Sequence, residues 1–135
     1  MAFYENAVRE SRIAATTFAS TALHRFVSLD DEGHVILPNT TSVLPYGVLD
    51  SLTVTTSTEA EAVSVVVSGI CPVKFEASTH AAGDFIAASS DGFGASPTTD
   101  SWVCGQIVAG SSGGVNRLLS VSIFRAGPAA AVYAD

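Results

Sequence analysis

The stretch VSVVV at residues 63–67 decides the fold, since four of its five residues are valine. β-Branched side chains favour extended backbone, and an apolar run of this kind is typical of a strand buried on both faces. We expect Gly69 to end the strand and Pro72 to confine the residues after it to a sheet edge or a strand start. Val65 and Val67 are therefore assigned to the core.

Outward from this stretch, the same order of strand, glycine turn and strand occurs twice. The matching positions lie 59, 59, 59, 58 and 56 residues apart: Phe26 and Phe85, Gly33 and Gly92, Pro38 and Pro97, Gly47 and Gly105, and Val65 and Val121. Changes of loop length between packed strands produce such a drift. The alternative is chance similarity among common small residues, but the matching order favours a structural repeat, with copies at about residues 19–69 and 77–125.

Turn signals divide each copy into short strands. The acidic run Asp30–Gly33 and the run Ser90–Gly92 each end in glycine between apolar segments, as hairpin turns do. Many short strands separated by Gly, Ser, Asp and Pro are typical of all-β domains. We predict a small β-sandwich or barrel-like domain built from two similar β modules.

The second copy supplies further core positions. Leucine, valine and isoleucine alternate with serine at residues 119–123, so Val121 and Ile123 are predicted to face inward. Trp102 begins a predicted strand and is assigned to the core. Gly105 follows it and indicates a bulge or a close backbone approach.

Residues 1–18 stand outside the repeat. We interpret them as an N-terminal arm, ahead of a β domain at residues 19–126 and a C-terminal tail at residues 127–135. The arm contains two aromatic and two cationic side chains of interest: Phe3, Tyr4, Arg9 and Arg12. Its spacing fits a short helix or an extended segment. Because it lies outside the repeat, we expect it to have few partners within its own fold and to contact a neighbour.

The composition limits the possible partners. The chain has 135 residues, of which 47% are hydrophobic and only 14% charged, with a net charge of −7. A weakly charged surface indicates burial by copies of the chain or by a partner, the alternative being a monomer covered by small neutral side chains. Six cations in an acidic chain argue against binding to nucleic acid or to an anionic membrane.

The chemically reactive side chains form no catalytic or metal-binding pattern. His24, His34 and His80 are scattered, and none forms an HxH or HExxH pair. The acidic run at residues 30–32 lacks the spacing of a calcium loop, and the glycines at 110–114 lack the lysine of a phosphate loop. We therefore predict a protein that is not an enzyme, with no catalytic residue, metal or cofactor.

The two cysteines, Cys71 and Cys104, have no metal-ligand spacing. We expect free, buried thiols that behave as small apolar side chains, with a disulfide between them left open.

Several segments, in order, resemble the small capsid decoration, or cement, proteins of tailed bacteriophages. They are Tyr46–Val48, Glu61–Lys74, Ala82–Phe85, Asp91–Gly92, Val103–Ile107 and Leu119–Ile123. In that family the corresponding pieces are a Gly-Val pair, a V-x-V-x-x-x-G segment, an Ala-Gly-Asp turn and a glycine before the last strand. The resemblance covers roughly residues 19–124.

This resemblance implies a homotrimer on the outer surface of the virion capsid, made in the host cytoplasm, with the major capsid protein as its partner. It implies no enzymatic activity and no cofactor. The arm lies outside the resemblance, and we infer from its chemistry alone that it clamps a capsid neighbour. The alternative is a phage fibre or adhesin-type module that recognises a host surface glycan through exposed aromatics, with Trp102 as a candidate.

Overall fold

The computed structural model describes residues 3–15, 18–38, 44–52, 62–76, 80–98, 101–110 and 117–124. Within these residues there are nine strands and one 3-10 turn, Ser20–Ala22. The strands are β1 (Glu5–Ile13), β2 (Phe26–Leu29), β3 (Val35–Ile36), β4 (Gly47–Leu52), β5 (Ala62–Phe75), β6 (Phe85–Ala88), β7 (Gly94–Ala95), β8 (Val103–Ala109) and β9 (Arg117–Ile123). The prediction of a small all-β domain is confirmed. In these ranges no helix is long and apolar enough to cross a membrane.

Strand β5 organises the sheet because its two halves belong to different rings of strands. Its first half pairs with β1 and β4, and its second half pairs with β9 along residues 69–75. Strands β6, β7 and β8 complete a closed five-strand ring with β9 and β5. We call β1 to β4 with residues 62–68 module 1, and residues 69–75 with β6 to β9 module 2.

The two modules share their strand register. Leu49 faces Val65 across β4 and β5, and Ile107 faces Val121 across β8 and β9 at the matching positions. A register shift follows each of these pairs by one residue. The separations of 58 and 56 residues seen in the sequence are therefore the separations of paired strands in space.

The hairpin turns also match. The side chain of Asp30 accepts hydrogen bonds from the backbone N–H groups two and four residues later, and the Ser89 hydroxyl does the same in module 2. Gly33 and Gly92 have φ angles of +83° and +88°, which glycine adopts without steric cost. One turn chemistry thus uses a carboxylate in module 1 and a hydroxyl in module 2.

Residues 3–15 are an integral part of module 1, so the prediction of an arm with few partners in its own fold is wrong. β1 pairs antiparallel with β5, and Ala14 then forms a parallel bridge to Val35 of β3. Residues 69–75 hold the same place in module 2, where Phe75 forms the parallel bridge to Gly94. The repeat therefore begins with this strand, which is separate in module 1 and fused into β5 in module 2.

β5 continues through Gly69 and Pro72, so the expected strand end and the expected edge are also wrong. Gly69 has a φ of +95°, and a Cβ there would lie 2.8 Å from Ala7 Cα of β1. Glycine lets β1 approach closely enough to pair. Pro72 lies beyond Ile70, the last β5 residue paired with β1, so that edge of β5 accommodates a residue without an N–H.

Buried apolar side chains form two clusters. Core 1 lies inside module 1 and comprises Ala14, Phe18, Ala22, Val27, Val35, Leu49, Val63 and Val65. Core 2 contains residues of both modules: Phe26, Val48, Val66, Cys71, Val73, Phe75, Ile86, Ala88, Cys104, Ile107, Leu119, Val121 and Ile123. Three side chains of module 1 thus pack into the core of module 2.

The predicted core residues fall into two groups. Val65, Val121 and Ile123 are buried, whereas Val67 and Trp102 are half-buried. Val67 packs against core 1 from its margin.

Candidate interaction surface

Module 1 has a row of apolar side chains on the face turned away from core 1. Phe26 pairs with Val48, and Val48 pairs with Val66, across β2, β4 and β5. Cross-strand partners project from the same face of a sheet, so these three residues form a continuous row, here called outer row 1. All three are buried in core 2, which means that module 2 covers this face.

Backbone hydrogen bonds join the two modules at this face. The Phe26 N–H donates to the Gly92 carbonyl at 2.7 Å, and the Lys74 N–H donates to the His24 carbonyl at 2.8 Å. A Cβ at Gly92 would lie 2.5 Å from the Phe26 oxygen. The turn of module 2 therefore lies directly against the start of β2.

Module 2 has the equivalent row, but the described residues leave it open. Phe85 pairs with Gln106 and Gln106 pairs with Ser122, in the register of outer row 1, and these residues are called outer row 2. Phe85 is 37% exposed, whereas its counterpart Phe26 is 0% exposed. Ile70 extends the row across β5, where it pairs with Ser122.

Further exposed apolar side chains lie on the strands of outer row 2. Val108 on β8 and Leu118 on β9 are 39% and 40% exposed, and Phe124 contacts Phe85 edge to face, with ring centroids 6.3 Å apart. The three residues of the row carry no formal charge. A sheet face of this composition suits docking to another protein surface.

The predicted arm residue Arg9 is paired within the chain. Asp50 accepts hydrogen bonds from the Tyr4 hydroxyl at 2.5 Å and from Arg9 Nε at 2.7 Å, and the Arg9 guanidinium lies over the Tyr4 ring at 4.7 Å. Burial, followed by the hydrogen bond to Asp50, raises the pKa of Tyr4 to about 12. The cluster fastens β1 to β4.

The second predicted arginine, Arg12, has partners on the same chain too. Its guanidinium donates to Glu10 Oε1 at 3.1 Å and to the Tyr46 hydroxyl at 2.8 Å, and the Tyr46 hydroxyl donates to Glu10. Phe3 lies at the other end of the segment, where its N–H donates to Ser120 Oγ. Phe3 and Tyr4 keep exposed side chains, whereas the charges of both arginines are matched by carboxylates.

The reactive groups of the described residues are dispersed. Cys71 and Cys104 are free and buried, and burial raises the pKa of Cys71 to about 12 and that of Cys104 further still, which keeps both thiols unreactive at neutral pH. His80 is buried beside the Phe75 ring. Among the described residues no group of three His, Cys, Asp or Glu side chains could hold a metal ion.

Two shallow cavities lie at matching places of the modules, and their linings differ. The one in module 1 is lined by Leu29, Leu44, Pro45 and Tyr46. The one in module 2 is lined by Glu76, Ala88, Ser89, Ser90, Ala95, Ser96, Thr98 and Ser101. The hydroxyls of Ser89 and Ser101 bond to backbone groups of their own loops, so they complete the turns of module 2.

The sequence interpretation missed the open row. Phe85 was matched with Phe26 as a strand residue, and the repeat alone treats the two as equal. The signal lies in their neighbours, because Gln106 and Ser122 stand where module 1 has Val48 and Val66. Polar residues at two matched positions indicate a face that remains accessible to solvent.

The comparisons concern the fold. No protein-family model and no curated protein matches the chain. The chain is similar to a solved structure, the head fiber gp8.5 N base of bacteriophage phi29, with a TM-score of 0.56 and 16% identity over 87% of this chain and 94% of that one. At this level of identity the likeness shows a shared fold.

Proposed function

We propose that this chain is a structural protein of a tailed-phage virion, which binds the outer surface of the capsid as a homotrimer and stabilises the shell. The observation that supports it most is the fold shared with the base of a phage head fiber, over nearly the whole of both chains. The sequence resemblance to capsid decoration proteins leads independently to the same location.

The geometry suits a structural role. Two closed rings of strands share β5, so most backbone groups of the described strands are paired within the chain. Such a module keeps its shape while its outer faces make contacts. Many copies that each add a modest interface would stabilise a shell by mass action, since each bound copy favours the intact lattice.

In this proposal the partner is the major capsid protein, and the N-terminal segment contributes to the contact. Phe3 and Tyr4 present exposed aromatic side chains there, as the sequence predicted. Arg9 and Arg12 are paired with carboxylates of the same chain, so we assign them to holding β1 in place. Attachment should then depend on apolar contacts more than on salt.

Titration of the purified protein onto undecorated, expanded capsids tests the proposal, with cryo-electron microscopy of the particles. We expect saturable density on the outer surface at symmetry-related positions, and the Phe3→Ser variant should reduce occupancy more than Asp31→Asn, a substitution on the exposed turn of module 1. Failure to bind capsids, together with binding to host cells that a soluble glycan displaces, would support the fibre or adhesin alternative.

A further inference from the structure

We propose that outer row 2 is a self-association surface, and that it docks on module 1 of a second copy of this chain. The contact would repeat, between chains, the one that joins module 2 to module 1 within a chain. This deepens the proposed homotrimer, and rests on it, by naming the two surfaces that meet.

The first argument is the register of the two modules. Outer row 1 and outer row 2 occupy the same strands, pairs and faces of their modules. A module covers outer row 1, whereas the described residues place nothing on outer row 2. A surface with the same geometry fits the same type of occupant, and a second copy of the chain supplies one.

The second argument is that the receiving surface is also open. Within the chain, module 2 receives outer row 1 through the carbonyl of Gly92 and the N–H of Lys74. The matching residues of module 1 are Gly33 and Ile13. Ile13 is 38% exposed, and a Cβ at Gly33 would meet only the end of a flexible arginine side chain. Both halves of the contact are thus accessible.

The third argument is the chemistry of the open row. Where module 1 has the ion pair of Arg9 and Asp50 beside its row, module 2 has Ile70 and Val108 at the matching positions. Uncharged side chains lose little on leaving water, whereas an isolated charge would cost several kcal/mol. Outer row 2 is therefore suited to burial against protein.

The contact joins two different surfaces, so it is heterologous and closes when the rotation between copies divides a full turn. Three copies related in this way make the proposed trimer. A row that paired with itself would instead make a twofold dimer, and the two arrangements respond differently to substitution.

Light scattering and analytical ultracentrifugation of three single variants separate the arrangements. Phe85→Glu breaks outer row 2, and Ile13→Glu breaks the receiving surface. Ser20→Glu places the same charge on an exposed residue of the 3-10 turn, outside both surfaces. Thermal melting of each variant first establishes that its domain is folded.

We expect the native chain and Ser20→Glu to have a mass of three times 13.8 kDa at micromolar concentration, and Phe85→Glu and Ile13→Glu to be monomers. A mixture of these two monomers should form a dimer, because each supplies the surface that the other lacks. A native chain that stays monomeric overturns the inference, and so does an Ile13→Glu variant that still associates. Capsid binding, measured separately on the same proteins, tests the proposed function without reference to the trimer.

Discussion

Modules 1 and 2 have one strand plan and differ in what surrounds it. Outer row 1 is buried under module 2, whereas outer row 2 is open in the described residues. Module 1 holds its first strand with ion pairs, at Arg9 and Asp50 and at Arg12 and Glu10. Module 2 has that strand covalently continuous with β5, and it needs no such fastening. The difference teaches that a repeat can conserve pairing while the role of a face changes from internal to external.

Deletion of residues 1–13 tests the first half of this comparison and should have the largest effect. Without β1, module 1 loses the strand that residues 69–75 supply in module 2, and the buried side chains Val63 and Val65 lose a neighbouring strand. We expect the truncated chain to lack a cooperative thermal transition in differential scanning calorimetry. A truncated chain that melts like the native one would show that β1 is dispensable for the fold.

Charges at matched core positions test the equivalence of the modules. Val65→Asp and Val121→Asp each place a carboxylate at a position with 0% exposure, at a cost of several kcal/mol. Both variants should fail to accumulate as soluble protein, and to a similar extent. Asp31→Asn serves as the control, since this turn residue is exposed. One soluble variant with native melting would separate the modules.

Matched glycines provide a finer comparison. A Cβ at Gly47 would lie 2.7 Å from a Val65 methyl carbon, and one at Gly105 would lie 2.6 Å from a Val121 methyl carbon. Alanine at either position should lower the free energy of unfolding by about 1–3 kcal/mol through overpacking. Gly47→Ala should cost more, because its Cβ also meets the Val66 backbone oxygen more closely than Gly105 meets that of Ser122. Urea unfolding measures both, and an equal or reversed order would contradict the packing described.

The smallest expected effect is a dependence on alkaline pH that belongs to module 1. The pKa of Tyr4 is about 12 in the folded chain against a model value of 10.0, so the folded state holds this proton more tightly than the unfolded state. Its contribution to stability is complete below pH 10 and is lost as the pH rises through 12. Tyr4→Phe should flatten the decline of urea stability over this window. An unchanged decline would assign it to other groups, such as the thiol of Cys71.

Much of the fold could be predicted from the sequence, because the pattern that specifies it is local. Valine runs, glycine turns and the separations of 59, 58 and 56 residues identify both hairpins and the pairing of β4 with β5 and of β8 with β9. The role of β1 could not be predicted in this way, since strand pairing depends on a partner about sixty residues away in sequence. The open row was missed because burial depends on how the modules pack together, which the repeat does not encode.

The central claim is that one row position is internal in module 1 and external in module 2, and Phe26 and Phe85 test it most directly. The measurement is urea unfolding of Phe26→Ala and Phe85→Ala at two protein concentrations. We predict that Phe26→Ala lowers the free energy of unfolding by about 3–5 kcal/mol at both concentrations. Phe85→Ala should leave the domain folded and abolish the dependence of stability on concentration. An equal, concentration-independent loss in both variants would contradict the claim.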